Sequence, residues 1–388
     1  MTAPVEEDIV LKFIHTADWH LGRKFPSFSK EQGEKLTRAR LDVLDRILAS
    51  AERHRVDAVL CAGDLFDDTA PEAEWWRQVA ERFAAKHDWT NLPVFLLPGN
   101  HDPLLPSSVW AQGSPFRKLL PPWVHVVDRD LFEYELPNNA VLYAVPCKSK
   151  AGQVDPTGMI PCRADGDERI RIGLVHGSTF DVKDCQTNFP ISAQAAVDRG
   201  LDYLAIGDTH GFRRVPPERE QPPTIYPGAP EATAFDEKLP GNVAVVMMTR
   251  QRRAIVKAER VAFWTWEQHK ITSLAQLEAL VERTDLRDKV LRITCEMTLP
   301  APDYEAAENM LDALGGTEAR HPLAGVLQLH RHGLRLETSN VDEFCTDLPD
   351  TLMSAVRRLK ERATLPGEAL AAQRALFHLY RISRRRAS

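Results

Sequence analysis

Short apolar runs and longer amphipathic segments alternate along the first two thirds of the chain. In residues 34–55, Leu36, Leu41 and Leu44 recur at helical spacing, and further helices are predicted over 71–86 and 192–199. The apolar runs are continuous rather than alternating, which is typical of strands buried on both faces. They are Val10–Ala17, Val56–Ala62, Pro93–Leu97, Val141–Val145, Ile170–Val175, Leu201–Ile206 and Val243–Met248. This pattern predicts an α/β fold with a largely parallel sheet covered by helices on both faces.

A second, smaller pattern begins after a boundary that we place near residues 264–272. A strand over 289–297, a helix over 304–314 and a strand over 326–337 indicate a small α+β unit. Two helices, over 348–363 and 368–382, close the chain. We therefore divide the chain into three domains, residues 1–265, 266–345 and 346–388.

Composition and charge add one feature to this picture. The chain has 43% apolar and 27% charged residues and a net charge of −6, as in ordinary globular proteins. From residue 351 to 388, nine Lys and Arg face two Asp and Glu, which gives +7 and leaves −13 for the rest. A basic end suits DNA or an acidic protein surface, and a solvated helical face is the alternative that stays open.

The cysteines, the first residues of the chain and the length of its apolar runs bear on the cellular location. The six cysteines are scattered, without a C-x-x-C pair, so a disulfide framework or structural zinc site is not expected. The acidic first eight residues lack a signal-peptide core, and no apolar run of about 18 residues predicts a membrane span. A reducing, cytoplasmic location is therefore the prediction.

Five of the apolar runs end in the same way, with Asp, His or Asn at the end of the strand. The endings are Asp18-Trp19-His20, Gly63-Asp64-Leu65-Phe66-Asp67, Gly99-Asn100-His101-Asp102, His176-Gly177-Ser178 and Gly207-Asp208-Thr209-His210. Because the carboxyl ends of parallel strands face a common crevice, these side chains should converge there. So many carboxylates in one place would repel one another without a cation.

A pair of divalent ions resolves that repulsion. Two ions about 3.5–4 Å apart, bridged by a shared carboxylate, can polarise a phosphoryl oxygen and generate hydroxide. Ligation by Asp, His and Asn together favours Mn²⁺, Fe or Zn²⁺ over Ca²⁺.

Each motif alone also has an ordinary structural explanation. Gly99-Asn100 alone reads as a turn, and Gly63-Asp64 as a loop with a helix cap. It is the ordered set of five at strand ends that predicts a metal site. Trp19 next to the motif could stack on a base, although packing is the more ordinary role.

The motifs D-x-H, G-D-x-x-D, G-N-H-D, a strand-end H-G and a final x-x-H, in this order, resemble those of the calcineurin-like metallophosphoesterases. The stretch Ile14–Gly22 looks more specifically like the SbcD nuclease family, and the resemblance covers about two thirds of the chain. It implies a sandwich of two sheets flanked by helices. It also implies that the small α+β unit is a cap domain that contacts DNA.

The resemblance also implies the roles of the site residues. Asp64 would bridge the two metals, and His101 would be the general acid that protonates the leaving oxygen, or at least contact the scissile phosphate. Asp102 could orient His101. Asp18, His20 and His210 would hold the first metal, and Asn100, His176 and Asp208 the second.

One position departs from the family pattern, since the family usually has His where this chain has Asp208. An Asp adds charge and a hard oxygen donor, which should strengthen the preference for Mn²⁺ and puts the second metal's geometry in doubt. The chain also resembles a bacterial clade of stand-alone, manganese-dependent metallophosphoesterases from DNA-repair operons, which are single-strand DNA endonucleases.

These observations predict a metal-dependent DNA endonuclease with two divalent ions, Mn²⁺ first, acting in DNA repair. Single-stranded DNA is the expected partner, together with other DNA-repair proteins, and no membrane contact is expected. The alternatives are an SbcD-type exonuclease subunit that needs an ATPase partner and a small-molecule phosphodiesterase. The sequence leaves strand polarity and oligomeric state open.

Overall fold

The computed structural model describes residues 8–86, 92–179, 188–316, 321–339, 349–365 and 367–387. The chain splits into two compact units, Met1–Trp264 and Thr265–Ser388. In the described residues of the first unit, two six-stranded sheets are present, and in those of the second, one three-stranded sheet. The expected α/β sandwich with flanking helices is confirmed.

The first sheet has the strand order β12-β11-β1-β2-β3-β4. Neighbours from β1 to β4 are parallel, whereas β11 runs antiparallel to both β1 and β12. Its strands are β1 (Ile9–Thr16), β2 (Ala58–Cys61), β3 (Val94–Leu96), β4 (Val124–Val126), β11 (Asn242–Thr249) and β12 (Ala254–Arg260).

The second sheet has the order β5-β6-β7-β8-β10-β9, with antiparallel pairs at both edges. Its strands are β5 (Phe132–Leu136), β6 (Ala140–Val145), β7 (Ile170–His176), β8 (Tyr203–Gly207), β9 (Arg213–Val215) and β10 (Thr224–Tyr226). All seven predicted strands of this unit are present, but they belong to two mixed sheets. The single, largely parallel sheet predicted from hydropathy is therefore wrong, because short or half-polar strands such as β4, β5 and β9 escaped the pattern.

The core of the first unit lies between the two sheets. Phe13, Leu60 and Phe95 of the first sheet belong to the same buried cluster as Leu142 and Ile172 of the second. The helices of this unit are α1 (Lys30–His54), α2 (Ala73–Ala84), α3 (Pro115–Leu119) and α4 (Ala195–Asp198). A separate cluster joins α1, α2 and α3 to the outer face of the first sheet.

Helix α1 begins four residues before its predicted start. The side chain of Ser29 accepts a hydrogen bond from Gln32 N–H at 3.4 Å, which caps the helix at Lys30. At the other end, Arg55 adopts a left-handed φ of 51° and stops the helix.

The second unit contains a parallel sheet of β13 (Thr265–Ile271), β14 (Lys289–Leu299) and β15 (Val326–Leu336). Its helices are α5 (Leu274–Val281), α6 (Ala301–Gly315), α7 (Asp350–Arg362) and α8 (Ala369–Ala387). One hydrophobic cluster joins Ile293 and Leu311 to Val356 and Leu376 of the closing helices. The division into 266–345 and 346–388 stays a prediction, although these helices share one core with the sheet.

Two further expectations concern cysteines and membranes. Cys61, Cys147, Cys162 and Cys295 are free, whereas Cys185 and Cys345 lie outside the described residues. Among the described helices, none combines the length and hydrophobicity needed to cross a membrane.

Candidate metal centre

The predicted ligands lie at the carboxyl ends of strands from both sheets of the first unit. The turns after β1 and β2 run side by side, since Asp18 N–H donates to Gly63 O and His20 N–H to Asp64 O, each at 3.0 Å. Asn100 and His101 follow β3, His176 is the last residue of β7, and Asp208 and His210 follow β8.

The backbone at this edge is strained. Asp18, His20, Asp64 and Asp208 all have positive φ, at 55°, 44°, 53° and 107°. For residues other than glycine, such angles are uncommon and concentrate at functional sites. After β1, for example, two residues with positive φ, Asp18 and His20, are both predicted ligands although they are separated by one residue.

Two glycines of the motifs are required by close approach. A Cβ on Gly63 would lie 2.2 Å from His176 Nδ1, and a Cβ on Gly99 would lie 2.1 Å from Asp64 Oδ1. The glycine in G-D-x-x-D and the one in G-N-H-D therefore leave the room that two ligands occupy.

Asp18, His20 and His210, which we call the first half, bring one ligand atom each to within 4.8 Å of one another. His20 Nε2 and His210 Nε2 lie 3.1 Å apart. His210 Nδ1 lies 2.7 Å from Glu237 Oε1, so it carries the proton and leaves Nε2 as an electron-pair donor. The arrangement suits a cation between the two imidazoles.

Asn100, His176 and Asp208, which we call the second half, meet around one imidazole nitrogen. His176 Nδ1 donates to Ala62 O at 2.8 Å, which directs the lone pair of the neutral ring's Nε2 into the site. That Nε2 lies 2.7 Å from Asn100 Oδ1 and 3.8 Å from Asp208 Oδ1. A nitrogen lone pair among oxygen acceptors requires either a proton or a metal ion.

Asp64 lies between the two halves. Its Oδ2 is 3.7 Å from His20 Nε2 and 3.5 Å from His176 Nε2, while its Oδ1 accepts the His101 N–H at 2.9 Å. One oxygen is thus held by the backbone and the other faces both halves. This is the placement expected of a bridging carboxylate.

Burial and charge shape the titration of the site. Burial raises the pKa of the fully buried Asp18 to about 7. Burial alone would lower the pKa of His176, but Asp64, Asp18 and Asp208 outweigh it and raise that pKa to about 9. Protons therefore balance the negative charge where divalent cations would do so, and the residues fit the metal pair implied by the sequence.

His101 and its neighbours require one correction. The prediction that Asp102 orients His101 is wrong, because the buried carboxylate of Asp102 accepts hydrogen bonds from Phe66 N–H at 2.9 Å and Gly99 N–H at 2.8 Å. Asp102 instead ties two strand-end turns together. Asp67 is the residue beside His101, with its carbonyl oxygen 3.3 Å from His101 Nδ1.

Asp67, the second Asp of the G-D-x-x-D motif, contacts both His20 and Arg23. Its Oδ1 lies 3.1 Å from His20 Nδ1 and 3.1 Å from Arg23 Nη1. Trp19 is buried and donates to Thr16 Oγ1 at 2.8 Å, so it packs rather than stacks on a ligand. Lys24 extends to solvent, 3.5 Å from Glu72.

Several supporting residues were missed. Thr233 and Glu237 contact His210, Ser178 donates to Asp208, and the buried Arg40 contacts the Asp18 turn. Only Arg40 left a signal in the sequence, since it is a charged residue on the apolar face of α1 between Leu36 and Leu44.

Known proteins resemble the chain to different extents. The D subunit of the SbcCD nuclease of Escherichia coli K12 is 37% identical over 92 residues, or 24% of this chain and 21% of that relative. The chain thus matches only about a fifth of the length of this nuclease. "Uncharacterized metallophosphoesterase YhaO" of Bacillus subtilis 168 is 27% identical over 323 residues, 78% of this chain and 76% of that relative.

A solved structure, TT1561 of Thermus thermophilus, aligns with 65% of this chain and 99% of its own, at 13% identity and a TM-score of 0.38. The sequence model described as calcineurin-like phosphoesterase matches residues 11–212, more than half of the chain. That span contains all seven predicted ligands and His101. The chain therefore belongs to the calcineurin-like phosphoesterase family.

Proposed function

We propose that this protein is a two-metal phosphodiesterase that hydrolyses DNA and cuts single strands at internal positions. The observation that carries the proposal is the convergence of both halves on Asp64, with His101 beside them. Metal-dependent phosphoester hydrolysis is the family's chemistry, and DNA as the substrate is the proposed refinement.

His101 is suited to protonate the leaving oxygen. Its side chain is 43% exposed, whereas those of His20 and His176 are buried. In the protonated ring, the Nδ1–H donates to Asp67 O, and the Nε2–H is left to give its proton to the leaving oxygen. A positioned acid of this kind contributes about 10²–10⁴-fold to a rate.

Two divalent ions bound by these side chains would supply a Lewis acid for the phosphoryl oxygen and a nucleophile at neutral pH. The chain's own contribution is to orient the ligands, since His101 N–H, Ala62 O and Glu237 each fix one of them. We propose Mn²⁺ because the ligands mix carboxylate, amide and imidazole groups, and Asp208 adds a further hard oxygen.

Three observations support DNA as the substrate. The E. coli relative is named as part of a nuclease, residues 351–388 carry a net charge of +7, and a second unit follows the catalytic one. Partners among DNA-repair proteins and a cytoplasmic location belong to the same proposal. Four free cysteines among the described residues support such a location.

The experiment compares cleavage of a covalently closed single-stranded DNA circle in Mn²⁺, Mg²⁺ or Zn²⁺ by three proteins. They are the wild type, His101→Ala and, as a matched control, His54→Ala, a half-buried histidine at the end of α1 that contacts Glu259. We expect Mn²⁺-dependent linearisation by the wild type and the control, and a loss of about 10²–10⁴-fold in His101→Ala.

Each other outcome has a defined meaning. An intact circle together with degradation of linear DNA from its ends would replace the endonuclease with an exonuclease of the partner-dependent kind. Hydrolysis of an aryl phosphodiester without cleavage of any DNA, and without competition by DNA, would indicate a small-molecule phosphodiesterase instead.

A further inference from the structure

Arg40 is a fully buried arginine on α1, with 1% of its surface exposed. Its guanidinium reaches two separate turns through four backbone carbonyls. On one side, Nε donates to Trp19 O at 2.9 Å and Nη2 to Asp18 O at 3.2 Å. On the other side, Nη1 donates to Glu231 O at 2.9 Å and to Ala232 O at 3.1 Å. The planar fork therefore fixes the separation of these turns.

Both turns serve the first half of the metal site. The turn at Asp18 and Trp19 provides Asp18 itself and leads to His20. The segment that begins at Glu231 continues to Thr233 and Glu237, whose oxygens lie 3.0 and 2.7 Å from His210 Nδ1. Arg40 thus joins two ligands on one turn to the residues that orient the third.

Glu231, at the start of this segment, is also anchored through its side chain. Glu231 is 2% exposed, and its carboxylate accepts hydrogen bonds from the backbone N–H groups of Phe263 and Trp264. Its carbonyl oxygen accepts from Arg40 at the same time. Glu231 therefore ties the start of this segment to Arg40 and to the backbone of Phe263 and Trp264.

The charge of Arg40 persists at neutral pH. An arginine guanidinium stays protonated throughout the physiological pH range. A lysine would keep the charge but could not reach four carbonyls in two directions, since its ammonium is a single point donor.

We propose that Arg40 is a positioning residue that sets the affinity of the first half for its divalent cation, with Glu231 as the anchor of the same segment. The proposal rests on the two-metal site of the proposed function but not on its substrate. It concerns residues outside the motifs, and it predicts that damage to Arg40 affects one metal ion and not both.

The experiment measures Mn²⁺ binding by calorimetry and by the electron paramagnetic resonance signal of free Mn²⁺, so it needs no substrate. Wild type should bind two ions, and His210→Ala should bind one. Arg40→Lys should lower by roughly 10–100-fold the affinity for the ion that His210→Ala no longer binds. A loss of this size is usual when a residue that orients metal ligands is removed. In the His210→Ala background, Arg40→Lys should cause no further loss.

Arg46→Lys is the matched control. Arg46 lies on the same helix and also donates to two carbonyls, those of Val261 at 3.2 Å and Ala262 at 2.9 Å, which carry no ligand. Its replacement should leave both Mn²⁺ affinities at the wild-type values.

The results that overturn the proposal are specific. The proposal is overturned if a folded Arg40→Lys variant binds both Mn²⁺ ions with wild-type affinity. It is also overturned if the variant loses affinity for the ion that His210→Ala still binds. If circular dichroism shows that Arg40→Lys does not fold, Glu231→Gln decides, with an expected weakening of roughly threefold or more at the same ion. A wild type that binds no Mn²⁺ would overturn the proposed function as well, whereas unchanged variants of a two-ion wild type refute the positioning role alone.

Discussion

The two halves of the metal site differ in the groups that lie behind their imidazole ligands. In the first half, Glu237 Oε1 lies 2.7 Å from His210 Nδ1, and Asp67 Oδ1, which also pairs with Arg23, lies 3.1 Å from His20 Nδ1 without a hydrogen bond to it. In the second half, His176 Nδ1 donates to a neutral carbonyl oxygen and Asp208 receives a hydroxyl hydrogen bond from Ser178.

The difference bears on Asp208, the position at which the sequence departs from the pattern that it resembles. An anion behind an imidazole raises the basicity of the ring and strengthens it as a ligand. The second half lacks such anions in the contacts described, but Asp208 places a carboxylate directly at the ligand position. The first half therefore combines the carboxylate ligand Asp18 with anions near its imidazoles, whereas Asp208 is the carboxylate ligand of a second half whose imidazole has a neutral carbonyl behind it.

The largest expected effect comes from the residue that the halves share. Asp64→Asn should lower kcat/KM for a phosphodiester by about 10³-fold or more, because a bridging carboxylate contributes several kcal/mol through both ions. Steady-state kinetics together with Mn²⁺ titration would check this. If the variant loses only one of the two ions, Asp64 belongs to a single half and is not shared between them.

Intermediate losses of Mn²⁺ affinity are expected when the residue that contacts a ligand is replaced, and they should be larger for a carboxylate than for a hydroxyl group. Glu237→Gln removes the anion behind His210 and should weaken Mn²⁺ binding to the first half by about 10–100-fold. Ser178→Ala removes only a hydroxyl from Asp208 and should weaken the second half by roughly tenfold or less, as expected of one hydrogen bond. Titration of both variants under the same conditions tests the order, and equal effects would contradict it.

The smallest expected effect on the Mn²⁺-dependent rate comes from replacing Asp208. Asp208→His should change the Mn²⁺-dependent rate by less than roughly tenfold, while it raises the ratio of Zn²⁺- to Mn²⁺-dependent activity, since imidazole suits Zn²⁺ better than carboxylate does. Rates measured in each metal would give this ratio. If the ratio stays at its wild-type value, Asp208 does not set the metal preference.

The strand-end motifs could be located from sequence because buried strands are continuous apolar runs and their ends are abrupt. All seven predicted ligands lie at such ends in the structure, although their individual roles stay predictions. The same approach failed for short strands with polar faces, such as β5, whose residues alternate between half-buried and exposed. Hydropathy alone therefore could not divide the strands between two sheets.

The supporting residues were harder to find for a different reason. Glu237 and Ser178 are ordinary polar residues in loops, and only the fold brings them to His210 and Asp208. Asp102 shows the converse error, because its position next to His101 in the sequence suggested a contact. The turn after β3 directs its carboxylate to the backbone N–H groups of Phe66 and Gly99 instead.

The left-handed turns at Asp18, His20, Asp64 and Asp208 have a consequence for laboratory evolution. Each such residue destabilises the fold by about 1–3 kcal/mol relative to a residue without that strain. Gly at these four positions, or Asn at some of them, would relieve the strain. Libraries selected only for heat resistance should therefore enrich those substitutions and lose the ligands, so a selection that aims for a hardier enzyme must retain metal binding as a second criterion.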